Sequence, residues 1–249
     1  MLCSWKNSGA CLKIFKAIQH TNPMVNVMFD EDGAHIMAMD TSKTSLIKLN
    51  LSTEYFQDYR CNTQMTLGVY TETLVNILQK VKKDQLVWKA TDNILTIVVQ
   101  ATDQKTEFNL RAIDISEDHL DIPELVDDVS VVMHKDSVKD VMDKILMGKT
   151  DMTVNIQQQK LELSSESTEF GKIVHTETIG GDRVQLNDFK NAVDIMLSFH
   201  AVKSLFTFSS CGEGPCFLGF SNAMPSRLRV ELGTNSYLCL YVAPKIIED

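Results

Sequence analysis

The sequence predicts an α+β fold of two similar units, each a β-α-β arrangement of sheet and helix, and three observations predict it. Most of the 249 residues fall in short apolar or alternating runs bounded by turn residues. Four stretches carry the i, i+3, i+4, i+7 apolar stripe of a helix with one buried face. The order of helix, strands, helix, strands occurs twice along the chain.

Strands are expected at residues 25–29, 34–39, 45–51, 64–69, 85–90 and 94–99. Turn signals such as Asp30-Glu31-Asp32-Gly33 and Thr91-Asp92-Asn93 separate them. Helix one is expected at 8–20 (Cys11, Ile14, Phe15, Ile18) and helix two at 71–81 (Leu74, Ile77, Leu78, Val81). Helix three is expected at 136–147 (Val138, Val141, Met142, Ile145) and helix four at 187–200 (Phe189, Val193, Met196, Leu197). A shift of 127 residues lays the stripe of helix one on that of helix three, and a shift of 119 lays helix two on helix four. Two matches in chain order at similar offsets point to a duplicated unit. The expected division is 1–115, a connector at 116–129, and 130–249. The connector holds six acids and a proline within residues 116–128, the composition of a solvated linker, yet also Leu120, Ile122 and Pro123.

Bulk properties narrow the function. At 44% hydrophobic, the chain can bury roughly 70–75% of its unfolded surface. A net charge of −9 argues against indiscriminate attraction to nucleic acid by the molecule as a whole. No run of 18 apolar residues could cross a membrane as a helix. The opening Met1-Leu2-Cys3-Ser4-Trp5-Lys6-Asn7 lacks a signal-peptide layout. The six cysteines show no Cys-x-x-Cys spacing, so reduced thiols are expected and not a disulfide frame or zinc site. Gly148-Lys149-Thr150 ends like a phosphate loop, but the required glycine at 143 is Asp143. The histidines lack metal spacing and no hydrolase or metalloprotease motif occurs, so no enzyme, metal or cofactor is expected.

The charge is segregated. Windows 6–20, 70–83, 135–149 and 187–203 hold 12 of the 24 Lys and Arg residues but only 6 of the 33 acids, a net +6. The rest of the chain therefore carries −15. Lys13, Lys16, Lys80, Lys83, Lys144, Lys149 and Lys190 lie off the apolar stripes. Lysines on a free helix face can serve solvation alone. Their separation from acids suits duplex DNA, whose backbone presents about one charge per 1.7 Å and is bound without sequence preference.

The tail Tyr241-Val242-Ala243-Pro244-Lys245 begins as a strand and breaks at a proline, which lacks the N–H a ladder needs. Other segments join it: Met39-Asp40-Thr41-Ser42 leading into Ser45-Leu46, Phe56-Gln57-Asp58-Tyr59-Arg60-Cys61, Leu67-Gly68-Val69, Ile113-Asp114, and Leu120-Asp121-Ile122-Pro123-Glu124. In order and spacing these resemble the proliferating cell nuclear antigen family, the DNA sliding clamps.

The resemblance implies a toroidal homotrimer of two-domain subunits, sheets outside and four helices per subunit lining the ring. It implies a processivity factor that encircles duplex DNA and tethers DNA polymerase and repair proteins, placed on DNA by a clamp loader. The nucleus is then the expected location, or a viral replication site. A docking pocket for a peptide with a glutamine, an aliphatic anchor and paired aromatics would use Met39, Leu46, Leu120, Ile122, Pro215, Tyr241, Ala243 and Pro244. Subunits would join by strands 106–113 and 169–176, through Phe108, Leu110, Gly171 and Ile173. Asp140 and Asp143 stand where the family has arginines, so binding of DNA at helix three is expected to weaken or shift to Lys144 and Lys149. The alternative within the same fold is a subunit of a heterotrimeric checkpoint-type clamp, or a viral processivity factor that forms no ring.

Overall fold

The computed structural model describes residues 1–81, 85–91, 93–116 and 125–246. The chain divides into two compact units. One comprises 1–43, 47–120 and 232–238; the other comprises 44–46, 121–231 and 239–249.

The first half of the chain contributes β1 (Leu2–Trp5), α1 (Ser8–Thr21), β2 (Met24–Phe29), β3 (Gly33–Met39), β4 (Ser45–Ser52), β5 (Phe56–Arg60), β6 (Met65–Tyr70), α2 (Thr71–Leu78), β7 (Gln85–Thr91), β8 (Ile94–Gln100) and β9 (Lys105–Arg111). The second half repeats that order. It holds β10 (Val129–His134), α3 (Lys135–Ile145), β11 (Met152–Gln157), β12 (Lys160–Ser167), β13 (Gly171–Thr178), β14 (Val184–Phe189), β15 (Val193–Leu197), α4 (Phe199–Ser209), β16 (Pro215–Phe220), β17 (Ser226–Gly233) and β18 (Ser236–Val242).

The sheet orders repeat as well. Strands β5-β1-β7-β8-β9 lie side by side, as do β14-β10-β16-β17-β18. The runs β4-β3-β2-β6 and β13-β12-β11-β15 match in the same way. The structure therefore shows the duplication that the helix stripes suggest.

Alternation builds these sheets. Ser45, Ile47, Leu49 and Leu51 of β4 turn inward, and Leu46, Lys48 and Asn50 turn outward. The helices cover the inner faces, α1 packing on α2 and α3 on α4. In the first unit Trp5 and Trp88 lie with ring centroids 5.0 Å apart, and Phe15 sits 5.4 Å from Trp88. Helix starts are marked by caps: Asn7 Oδ1 accepts from Ala10 N–H (3.1 Å), and Ser198 Oγ accepts from Ala201 N–H (3.2 Å). All six cysteines are free thiols, five of them buried.

One element differs from the expectation. Residues 187–198 form no helix; they span the end of β14, a turn, β15 and the Ser198 cap, and only Phe199 and His200 of the expected stretch are helical. Val193, Ile195 and Leu197 are inward at period two while Asp194 and Met196 face out. So short an apolar run satisfies both periodicities. The fourth helix begins after the Ser198 cap, burying Ala201, Val202, Leu205 and Phe208. With that correction a single shift of 127 serves both pairs. It also lays Leu74, Val75 and Leu78 on Ala201, Val202 and Leu205, all buried.

Candidate functional site

Helix α1 carries exposed Lys13 and Lys16 and no acid. Helix α2 has one charge, Glu72, and Lys80 follows it in a turn. Lys83 lies outside the described residues. Helix α3 has three lysines and three aspartates, and α4 has Lys203 alone. The four helices thus carry a net +2, not the +6 of the broader windows. The difference lies in turns and flanking residues, where Lys80 and Lys149 sit, and in residues 187–198, which are not helical.

Lys190 is corrected accordingly. It occupies the turn between β14 and β15, its Nζ 3.3 Å from Asp188. On α3, Lys144 reaches Asp140 at 2.9 Å and Lys139 approaches Asp143 at 3.8 Å. Arg183 also donates to Asp140 (2.8 Å). Hydrogen bonds from Arg183 and Lys144 hold the Asp140 carboxyl down to about 2. Asp140 and Asp143 thus engage two of the three lysines of α3, Lys144 and Lys139, on the helix itself. Lys149 is exposed, in the left-handed region (φ 52°) that ends the single 3-10 turn after α3.

The tail is pinned along its length. Val242 ends β18 and is buried, while Tyr241, Ala243 and Pro244 are half-buried. Ala243 N–H donates to Thr44 O (2.8 Å), which brings Tyr241 beside Leu46, two residues from Thr44. Lys245 N–H donates to Met196 O (2.7 Å), and its Nζ donates to Asp151 (2.6 Å). The Lys245 hydrogen bond and that from Phe199 N–H hold the Asp151 carboxyl below the usual range against its partial burial.

Pro215 does not join this cluster. It opens β16, whose ladder with β17 sets Cys216 opposite Val230 and Gly219 opposite Arg227. The β17–β18 hairpin turns at Thr234-Asn235, so Val242 returns to the Ser226 end. Pro215 stands at the opposite end, five residues or roughly 17 Å away along the strand. Met224 (39% exposed) and half-buried Pro225 occupy the end near the tail. Their signal in the sequence is a Met-Pro step opening a strand. Met39, 37% exposed, belongs to the first unit, and Leu120 and Ile122 lie outside the described residues.

Sheet edges are managed unequally. Ile113 N–H donates to Gly68 O (3.0 Å) and occupies part of the β6 edge. Lys245 does the same at Met196 of β15, where Asp194 N–H also donates to Asn222 Oδ1 (3.0 Å). The outer strands β5 and β14 pair through ladders broken by register shifts, which blunt an edge. Strands β9 and β13 are regular runs of seven and eight residues. Among the described residues no strand pairs with their outer edges. Phe108 and Leu110 share one face of β9, both half-buried. On and beside β13, Gly171 adopts φ +67°, Ile173 is half-buried, and Phe170 and Val174 are 46% and 48% exposed. Such edges invite another strand.

The repeated pair of sheets carrying two helices belongs to the class of clamp folds. A crystal structure of the proliferating cellular nuclear antigen of Entamoeba histolytica superposes with a TM-score of 0.87 at 20% identity, covering 98% of each chain. A PCNA2–PCNA3 complex from Sulfolobus tokodaii gives 0.88 at 19% identity, covering 98% of this chain and 99% of that one. The family description "Proliferating cell nuclear antigen, N-terminal domain" matches residues 1–119.

Among curated relatives, the proliferating cell nuclear antigen of Chaetomium thermophilum is 27% identical over 95% of both chains. The DNA polymerase sliding clamp of Pyrococcus furiosus is 29% identical over 88% of this chain and 87% of its own. The probable DNA polymerase sliding clamp 2 of Paramecium bursaria Chlorella virus 1 is 25% identical over 95% and 88%. Residues 1–119 thus match the N-terminal domain of the proliferating cell nuclear antigen family, and the chain along nearly its whole length is similar to sliding clamps.

Proposed function

We propose that this chain is a DNA sliding clamp, a processivity factor that closes into a ring around duplex DNA and acts by topology without catalysis. The single observation that carries the reading is the duplicated unit of a clamp family with two regular edges, β9 and β13, left unpaired among the described residues. A head-to-tail contact between those edges closes at three copies into a cyclic assembly. Phe108, Leu110, Gly171 and Ile173 would sit in that contact. Lys13, Lys16, Lys80 and Lys149 would meet phosphates without reading bases. Leu46, Tyr241, Ala243 and Pro244, with Met224 and Pro225 in place of Pro215, all of the second unit, would take the peptides of DNA polymerase and repair proteins. A loader would place the ring on DNA, in the nucleus or at a viral replication site.

The test is retention. Protein loaded on nicked circular DNA should survive gel filtration and be lost within minutes once the circle is linearised. Equal loss from both forms would rule out encirclement. Light scattering distinguishes the heterotrimeric alternative: three subunit masses support the homotrimer, and one subunit mass supports a requirement for different partners or a factor that forms no ring.

A further inference from the structure

In the second unit, the sheet β13-β12-β11-β15 carries charge on its inward face only at the edge strand. Helix α3 packs on β12 and β13. The inward residues of β11 and β15 are all apolar, and those of β12 are Leu161, Leu163 and Ser165. On β13 Ile173 is followed by His175 and Glu177, which stand opposite Leu163 and Leu161 and therefore share their face.

The Glu177 side chain, 13% exposed, is compensated twice. His175 Nε2 lies 2.9 Å from its Oε1, and Arg183 Nε lies 3.2 Å from the same atom. Arg183 comes from the loop after β13. That loop is turned back by Ile179 N–H on Gln159 O (2.7 Å) and Gly180 N–H on Val184 O (2.8 Å), with Gly180 at φ +87°. The other end of the guanidinium, Nη2, donates to Asp140 Oδ2 on α3 (2.8 Å), which Lys144 Nζ also reaches (2.9 Å). One planar fork thus spans from the edge strand to the helix. A lysine, a point charge on a flexible stem, cannot hold both carboxylates in this way.

We propose that Arg183 is a positioning residue for self-assembly: it clasps the edge strand β13 to α3 and so holds that edge in place for a second copy of this chain. The inference rests on the ring reading given above, in which the β13 edge pairs with β9 of another subunit. A carboxylate withdrawn from water costs free energy unless it stays paired. Without Arg183, Glu177 keeps only His175, and it regains hydration by lifting the end of the strand from the helix. A second copy then has to order β13 before pairing with it, and that ordering subtracts from affinity. Arg183 itself need not touch the neighbouring subunit.

The experiment uses the full chain and light scattering over a dilution series. Arg183→Gln and Arg183→Lys should each raise the concentration at which the trimer dissociates by about tenfold or more, with the circular dichroism spectrum preserved. Adding Glu177→Gln to Arg183→Gln should recover most of that loss, because no carboxylate is then left half-paired on the inward face. A double variant no better than the single one would overturn the clasp. Lys160→Gln removes an ion pair with Glu162 on the outward face of the same sheet and should leave the trimer as it is. An equal loss there would also count against the clasp, since any missing charge would then suffice.

Hydrogen exchange along β13 should accelerate in Arg183→Gln and keep the wild-type rate in Lys160→Gln. If Arg183→Gln fails to fold, Asp140→Asn releases the guanidinium at its helix end and leaves Glu177 paired. That variant should weaken the trimer by a smaller factor, and unchanged association in it overturns the proposal. If the wild type shows one subunit mass at every concentration, the reading of a self-assembled ring has failed. Exchange alone then judges the clasp: acceleration supports it and unchanged protection overturns it.

Discussion

Single residues carry the tail. Tyr241 precedes a buried Val242 and an Ala243 whose N–H is spent on Thr44, so its backbone has a fixed place on β18 opposite Leu46. Tyr241→Ala should weaken a docking peptide by tenfold or more, on the order of 2 kcal/mol for a central aromatic anchor. Met224→Ala should weaken it by a smaller factor, and Pro215→Ala not at all. Calorimetry on the three variants checks the set, and a loss at Pro215 equal to that at Met224 would return Pro215 to the pocket.

Asp140 offers a pH signature. Its folded value, about 2, lies below the ordinary 3.8, so its pairs with Arg183 and Lys144 contribute above the ordinary carboxylate range. That contribution is lost as pH falls through about 4 toward 2. The melting-temperature gap between wild type and Asp140→Asn should therefore shrink over that interval. A gap that is constant with pH would show that the pairs do not couple to folding.

At the level of elements, three of the four helices are legible from the apolar stripe. The fourth is not, because Val193, Ile195 and Leu197 fit a strand while Val193, Met196 and Leu197 fit a helix. Ser198 is the available signal, a hydroxyl cap before Ala201, Val202 and Leu205. The same ambiguity misplaces Lys190. The corrected elements leave α1 as the helix with two lysines and no acid, whereas α3 pairs two of its three lysines internally. Lys13→Gln with Lys16→Gln should lower retention on circular DNA and flatten its salt dependence, by roughly 0.9 in log–log slope for each phosphate no longer neutralised. Lys139→Gln with Lys144→Gln should do so less. Equal effects from the two pairs would mean that internal pairing does not withhold α3 from DNA.

For the whole molecule the repeat is the organising fact. The pattern β-α-β with four further strands, a helix and three strands recurs so closely that Gly68 O and Met196 O, 128 positions apart, each take an N–H from the segment leaving their unit. Ile113 heads the connector, and Lys245 heads the tail. On the proposed reading the edges β9 and β13, unpaired among the described residues, would take another copy. Phe108→Asp, which sets a charge on one of them, should reduce the solution mass to one subunit while preserving the circular dichroism spectrum. An intact trimer would place the interface elsewhere.

The sequence by itself determined the class of fold, the duplication, three helices and the proline-ended tail. Each rests on local periodicity or on the chemistry of one residue type. Tertiary structure decided the rest. Pro215 and Pro225 are alike as letters, and only the antiparallel β16–β17 ladder, which runs one end of each strand against the far end of the other, says which lies by Tyr241. The same holds for Asp140 of α3, which pairs with Lys144 on its own helix and also with Arg183, 43 positions away. It holds for Gly219, whose need to be glycine comes from a carboxylate that the fold lays upon it. Periodicity is a property of neighbours along the chain, whereas a close contact, an ion pair or a pocket wall depends on which distant segments the sheet order sets side by side.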